Sequence, residues 1–255
     1  MRLTDQGEHR DQFFRELNGA WAIAKKDMKI YYLKPNIIVA GILFPLFMFF
    51  AFAIGRNAPL ASLIPGLIGI TLLFSASSIE PVSIPIERRM KTFDRLLSAP
   101  VSLSAVVFGE SLSGFLYSII IAFIPLIIGV VAFGTLLNAP LFLVPGLILT
   151  AFCFSSMGTL FAAYPTENVG EVMSILNIVR LPLIFISGVF IPIASMPAIG
   201  QAVAFCSPLT YGNDLIVGAY SGTTQFGTGI DIALLLMFII VFQVAGNRLY
   251  RKFNE

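Results

Sequence analysis

Pro85-Ile86-Glu87-Arg88-Arg89-Met90-Lys91-Thr92-Phe93-Asp94-Arg95-Leu96-Leu97-Ser98-Ala99-Pro100-Val101 is the one dense charge cluster between two long apolar runs. It carries four cations and two carboxylates, and no Lys or Arg follows until Arg180. Bounded by Pro85 and Pro100, the stretch predicts an amphipathic helix over 86–98, about three turns long. Met90, Phe93, Leu96 and Leu97 share one side at helical spacing, and Arg88, Lys91 and Arg95 spread over the other. Such a helix between two membrane spans is either inert packing or a lever that a soluble partner can push.

The rest of the composition places the chain in lipid. Hydrophobic residues make up 57% and charged residues 12%, and the mean hydropathy is +0.88. A soluble domain carries roughly twice that charged fraction. The single histidine, His9, lies in the polar leader, and Cys153 and Cys206 have no neighbour at metal-ligand spacing. No hydrolytic triad or metal-dependent site can be assembled from that inventory. No catalysis and no cofactor on this chain are expected, and no nucleic-acid partner.

Working outward, six apolar segments are long enough to cross a bilayer, which takes about twenty residues. They are Ile37–Ile54, Leu60–Ile84, Leu103–Phe133, Pro140–Ala163, Val172–Ile193 and Gly229–Gly246. The third is overlong, with Pro125 available as a kink. The expected fold is therefore an all-α membrane protein with a leader over 1–36, a six-span domain over 37–248 and a tail over 249–255. The leader begins polar and mixed in charge, unlike a signal sequence. Phe14, Leu17, Trp21, Ala24, Met28 and Tyr31 then recur in steps of three and four, one helical stripe. With Arg15, Lys26 and Lys29 off that stripe, the pattern predicts a helix lying in the membrane interface, or one packed on a partner.

Cations set the orientation. Seven lie in the leader, four in the central cluster and three in the tail, out of sixteen, whereas Arg56 stands alone in the opposite connections. The positive-inside rule puts both termini and the cluster on the cytoplasmic side of a cell (inner or plasma) membrane. The stretch 194–220 fits no simple span. It holds two apolar halves of about ten residues on either side of Pro208, each too short to cross at about 1.5 Å per residue. An outer re-entrant hairpin accounts for it. A seventh span kinked at Pro208 would put the basic tail outside. Arg180, Glu80, Glu110 and Asp231 fall within or near the ends of spans, where charge is costly. A buried pair of Arg180 with Glu80 or Glu110 is expected, as a packing device or as part of a substrate or proton pathway.

The order of leader helix, two spans, charged connector, three spans, outer re-entrant stretch and last span resembles the permease subunit of type-2 ATP-binding-cassette exporters. The local sequence resembles it too. Glu87 to Ser102 is similar to that family's coupling-helix stretch, which runs as an acidic-basic start, Gly-Thr, Leu-Leu and Ser-x-Pro-Val-Ser. Lys91 departs from it, standing where Gly is frequent before Thr92. Leu181 to Pro192 resembles the family's fifth-span ending, and Ser207-Pro208-Leu209-Thr210-Tyr211 with Asp214 its outer element, although no Arg closely follows Asp214. The resemblance implies that the connector docks on a separate ATPase subunit, present in two copies, through Glu87, Arg88, Met90, Phe93, Arg95 and Leu97. It implies an outer gate at Pro192, Pro208, Tyr211 and Asp214, and a second copy of this permease. ATP and Mg belong on the partner, since the chain has no GxxxxGK[ST] loop. Substrate would pass between the second and fifth spans of the two copies, whose apolar walls suit a drug-like molecule, lipid or lipid-linked glycan. A secondary carrier and a scaffold without transport are the alternative classes.

Overall fold

The computed structural model describes residues 2–54 and 60–254, without the side chains of 2–11, 13, 49, 52–54, 60 and 254. Arg56, the lone cation expected on the opposite side, lies outside the described residues. Those described form helices and no strand.

The leader is one long helix, α1 (Arg2–Ile30). A turn follows, and Pro35 opens α2 (Pro35–Ile38) from an extended Lys34, the conformation a proline imposes on its predecessor. A π-turn (Val39–Leu43) joins α2 to α3 (Phe44–Ile54). The chain bends by 95° between Phe14–Ile30 and Pro35–Met48. Among the described residues, five helical runs are long and apolar enough to cross a membrane, or six if that bent pair is one span.

The second expected span differs from the sequence reading at its end. It continues to Arg89 but is broken in the middle: α4 (Ile64–Ala76) stops, Ser77 to Ile79 turn, and α5 (Glu80–Arg89) resumes. Pro85 does not begin a new helix. It lies inside α5, where it removes one hydrogen bond. The helix expected over 86–98 is accordingly two pieces. After Met90, Lys91 takes a left-handed conformation (φ 54°), and only α6 (Thr92–Leu97) follows.

The next elements are α7 (Leu103–Phe133), ended by Gly134 at φ 62°, and α8 (Pro140–Ala162). Next comes α9 (Val169–Ile186), which starts and stops earlier than the apolar run suggests. Asn168 caps its start, accepting the Gly170 N–H, and Ser187-Gly188 turn at its end. The stretch 194–220 gives α10 (Ala198–Ala204) and α11 (Pro208–Ser221), unequal halves rather than two of about ten residues. Fourteen residues rise about 21 Å, short of a bilayer core of about 30 Å. The last helix, α12 (Thr228–Asn254), carries the basic tail as a continuation of its apolar part.

Every residue of α4 is buried. It is the centre about which α7, α8 and α11 pack. Ile68 and Leu72 meet Ala151 and Ile216 on one side, and Ile70 and Phe74 meet Phe154 and Leu209 on the other. By contrast α9 leaves Ile175, Ile178, Leu181 and Phe185 exposed along one stripe.

Candidate functional site: a connector braced on the membrane helices

The left-handed turn at Lys91 decides which connector residues face outward. It rotates α6 relative to α5, so Met90 and Phe93 no longer share a face. Met90 is 65% exposed, with Arg89, Lys91, Asp94 and Arg95 exposed around it. Phe93 is 1% exposed and packs among Ile84, Val107, Ala162 and Tyr250. The Arg88 guanidinium lies 5.4 Å from the Phe93 ring centre. It donates to the carbonyls of Ala163 (3.3 Å) and Tyr164, beyond the end of α8. Leu97 lies half-buried against the same cluster. Of the residues expected to meet an ATPase, Met90 and Arg95 face outward, whereas Arg88, Phe93 and Glu87 are turned into the chain.

Glu87 is engaged from the leader. Lys26 Nζ lies 2.6 Å from Glu87 Oε1, 3.1 Å from Asp27 Oδ1 and 3.5 Å from Glu110 Oε1. The Tyr31 hydroxyl donates to Glu87 Oε1 at 3.3 Å. One ammonium thus joins three buried carboxylates on α1, α5 and α7. Gly109 makes this approach possible, because a Cβ there would stand 2.8 Å from the Ala20 carbonyl oxygen on α1. The sequence reading followed the apolar stripe of α1 and missed Lys26 and Asp27 as partners. Phe14, Leu17 and Trp21 of that stripe are about half exposed, while the inner face is Ala20, Ile23, Ala24, Asp27 and Tyr31. The available signal was Asp27 at helical spacing from Ile23, Ala24 and Tyr31, a carboxylate on an otherwise apolar face.

Arg180 makes no direct ion-pair contact with Glu80 or Glu110; its hydrogen bonds go to the break in the second span. Fully buried on α9, it donates from Nε to Ser77 Oγ (2.9 Å) and from Nη2 to Ser78 Oγ (3.2 Å) and the Ser77 carbonyl. Its guanidinium also stands 5.3 Å from the centre of the Phe74 ring. The break between α4 and α5 frees backbone oxygens in the protein interior, and a planar guanidinium with several donors satisfies them. Glu80 turns instead to α8, accepting from Ser155 Oγ at 2.7 Å. Glu110 lies with Lys26. The fifth span is thereby pinned to the break in the second.

Of the four residues expected at an outer gate, Pro192 and Asp214 line a cavity of about 410 Å³ together with Thr210 and Asn213, whereas Pro208 and Tyr211 lie outside its lining. Asp214 accepts the backbone N–H groups of Gln225 (2.8 and 2.9 Å) and Phe226 (2.9 Å), which fixes the connection from α11 to α12. Pro208 occupies the first turn of α11, where a missing N–H costs nothing. The Tyr211 hydroxyl donates to the Phe205 carbonyl at 2.7 Å, closing α11 onto α10.

Comparison with known proteins matches this architecture. Over 247 residues the chain is 26% identical to a protein of Cyanophora paradoxa named "Putative transport permease ycf38", covering 86% of this chain and 83% of the other. The family model of the ABC-2 type transporter matches residues 18–221, from the leader helix through the spans to the end of α11. The chain belongs to the ABC-2 type transporter family, as a membrane-embedded transport permease.

Proposed function

We propose that this permease exports a hydrophobic or amphiphilic molecule from the cytoplasm, driven by a separate ATPase subunit that docks on the exposed tip of the connector. The substrate is of the drug-like, lipid or lipid-linked glycan class. The observation that carries this reading is the outward-facing tip, Arg89 to Lys91 with Asp94 and Arg95, on a connector otherwise clamped to the membrane helices. A push on α6 reaches α5 through Lys91, and α5 is the continuation of the second span. The displacement then meets the Ser77–Ile79 break, where Arg180 carries it to the fifth span. ATP and Mg reside on the partner, in two copies. A second copy of the permease covers the open stripe of α9, leaving a path between the two beneath the re-entrant α10 and α11. Both termini face the cytoplasm, in keeping with the distribution of cations.

The test is reconstitution of the permease with its cognate ATPase in proteoliposomes. The reading expects the two to co-elute and ATP hydrolysis to rise with added amphiphile. Transport that proceeds on a proton or sodium gradient without ATPase would establish a secondary carrier instead. Co-elution with no transport would establish a scaffold.

A further inference from the structure

Residues of α1, α7 and α12 line a shared groove. Its volume is about 510 Å³, and its apolar walls are Leu17 and Ala20 of α1, Ala105 and Phe108 of α7, and Val244 of α12. Leu17, Phe108 and Val244 are each partly exposed. Most polar groups along the groove have partners within the chain, the Asn247 Oδ1 being an exception. Gln243 donates to Ser111 Oγ (2.7 Å) and Ser156 Oγ (3.0 Å), and Asn247 donates to Ser104 Oγ (2.7 Å). Glu16 accepts the Ser102 N–H (3.0 and 3.1 Å) and hydroxyl (2.7 Å) at the start of α7, which spends its charge on a helix N-terminus. The groove therefore offers apolar surface and little unspent polarity.

One turn further along α12 the character changes. Val244 and Asn247 also line a second cavity, of about 520 Å³, completed by Arg248, Arg251 and Lys252. These five positions recur at helical spacing, so they form one stripe on one helix face. All three cations are exposed, and none has an ion pair among the described residues. An apolar trough thus runs directly into a cationic stripe, unpaired among the described residues, at the end of α12.

We propose that this groove and stripe bind one anionic phospholipid, with an acyl chain along Leu17, Phe108 and Val244 and the phosphate against Arg248, Arg251 and Lys252. Charge complementarity favours this occupant. A neutral lipid leaves three cations unanswered, and a water-soluble anion leaves the trough empty. Each cation facing an anionic headgroup contributes about 1 kcal/mol, or about fivefold in affinity. The proposal concerns the outer surface of the spans and holds whatever the transported molecule and its direction.

The test uses the full chain purified in detergent, equilibrated with equal amounts of phosphatidylglycerol and phosphatidylcholine and weighed by native mass spectrometry. Wild type should retain phosphatidylglycerol in preference to phosphatidylcholine by at least about tenfold. The triple variant Arg248→Gln, Arg251→Gln, Lys252→Gln should lose that preference. Val244→Trp, which fills the trough with apolar bulk, should lower retention of both lipids. Because the two lipids compete on the same molecules, the ratio does not depend on yield. Equal retention by wild type, or an unchanged ratio in the triple variant, would overturn the proposal. So would displacement of the lipid by glycerol phosphate at equal concentration, which would mean a bare anion site. Displacement by the ATPase subunit would instead assign the face to protein docking.

Discussion

Lys26 Nζ stands 2.6 Å from Glu87 Oε1, so the leader helix is tied by a half-buried ammonium to a buried carboxylate in the last turn of the second span. The same ammonium serves Asp27 and Glu110. The leader is consequently a structural part of the connector.

Replacing Lys26 by Met should leave three buried carboxylates without their cation. Removing one partner from such a group costs about 3–5 kcal/mol. Thermal melting in detergent should show a large loss for Lys26→Met and a small one for Lys26→Arg. Equal melting of Lys26→Met and wild type would contradict the assignment.

Lys91 occupies a left-handed conformation at φ 54°, which costs a side-chain-bearing residue about 1–2 kcal/mol. Lys91→Gly should therefore stabilise the chain by about 1 kcal/mol, and the β-branched Lys91→Val should destabilise it. Glycine is frequent at this place in the sequence pattern that the connector resembles, and the backbone explains why. A melting temperature lowered by Lys91→Gly would count against this geometry.

Arg180→Leu removes the donors that satisfy the break between α4 and α5. Unpaired polar groups at that depth cost about 1–3 kcal/mol each. The variant should accumulate poorly and melt early. Arg180→Lys keeps the charge but not the planar fork, so it should fall between. A fully stable Arg180→Leu would show that the break is held by other contacts.

The native thiols report the topology. Cys206 is exposed beside α10 and Cys153 is buried in α8. An impermeant maleimide should label Cys206 in intact cells and lose its target in Cys206→Ser. In that background, Lys252→Cys should be labelled only after permeabilisation. Labelling of Lys252→Cys from outside would mean an odd number of spans.

The spans were legible because hydrophobic length is local: Leu103–Phe133 runs over the same residues in sequence and structure. The break at Ser77–Ile79 was not, since Ser75, Ser77 and Ser78 read equally well as a polar span ending. It is stable because Arg180, far away in sequence, supplies donors to it. The connector failed at one residue. The spacing of Met90, Phe93 and Leu97 describes a single face only if the helix is continuous, and the turn at Lys91 sends Met90 outward and Phe93 inward. Glu87 looked like a surface charge because Lys26, its partner, lies 61 positions away.

The most direct measurement compares Met90→Asp and Phe93→Ala at matched membrane levels, scoring permease melting and ATPase co-purification together. The account predicts that Met90→Asp melts as wild type but loses the ATPase, because a charge enters an exposed apolar anchor. It predicts that Phe93→Ala melts early, by about 3–5 kcal/mol of lost packing, before docking is affected. Retention of the ATPase and of transport by Met90→Asp would contradict the docking of an ATPase on the connector tip.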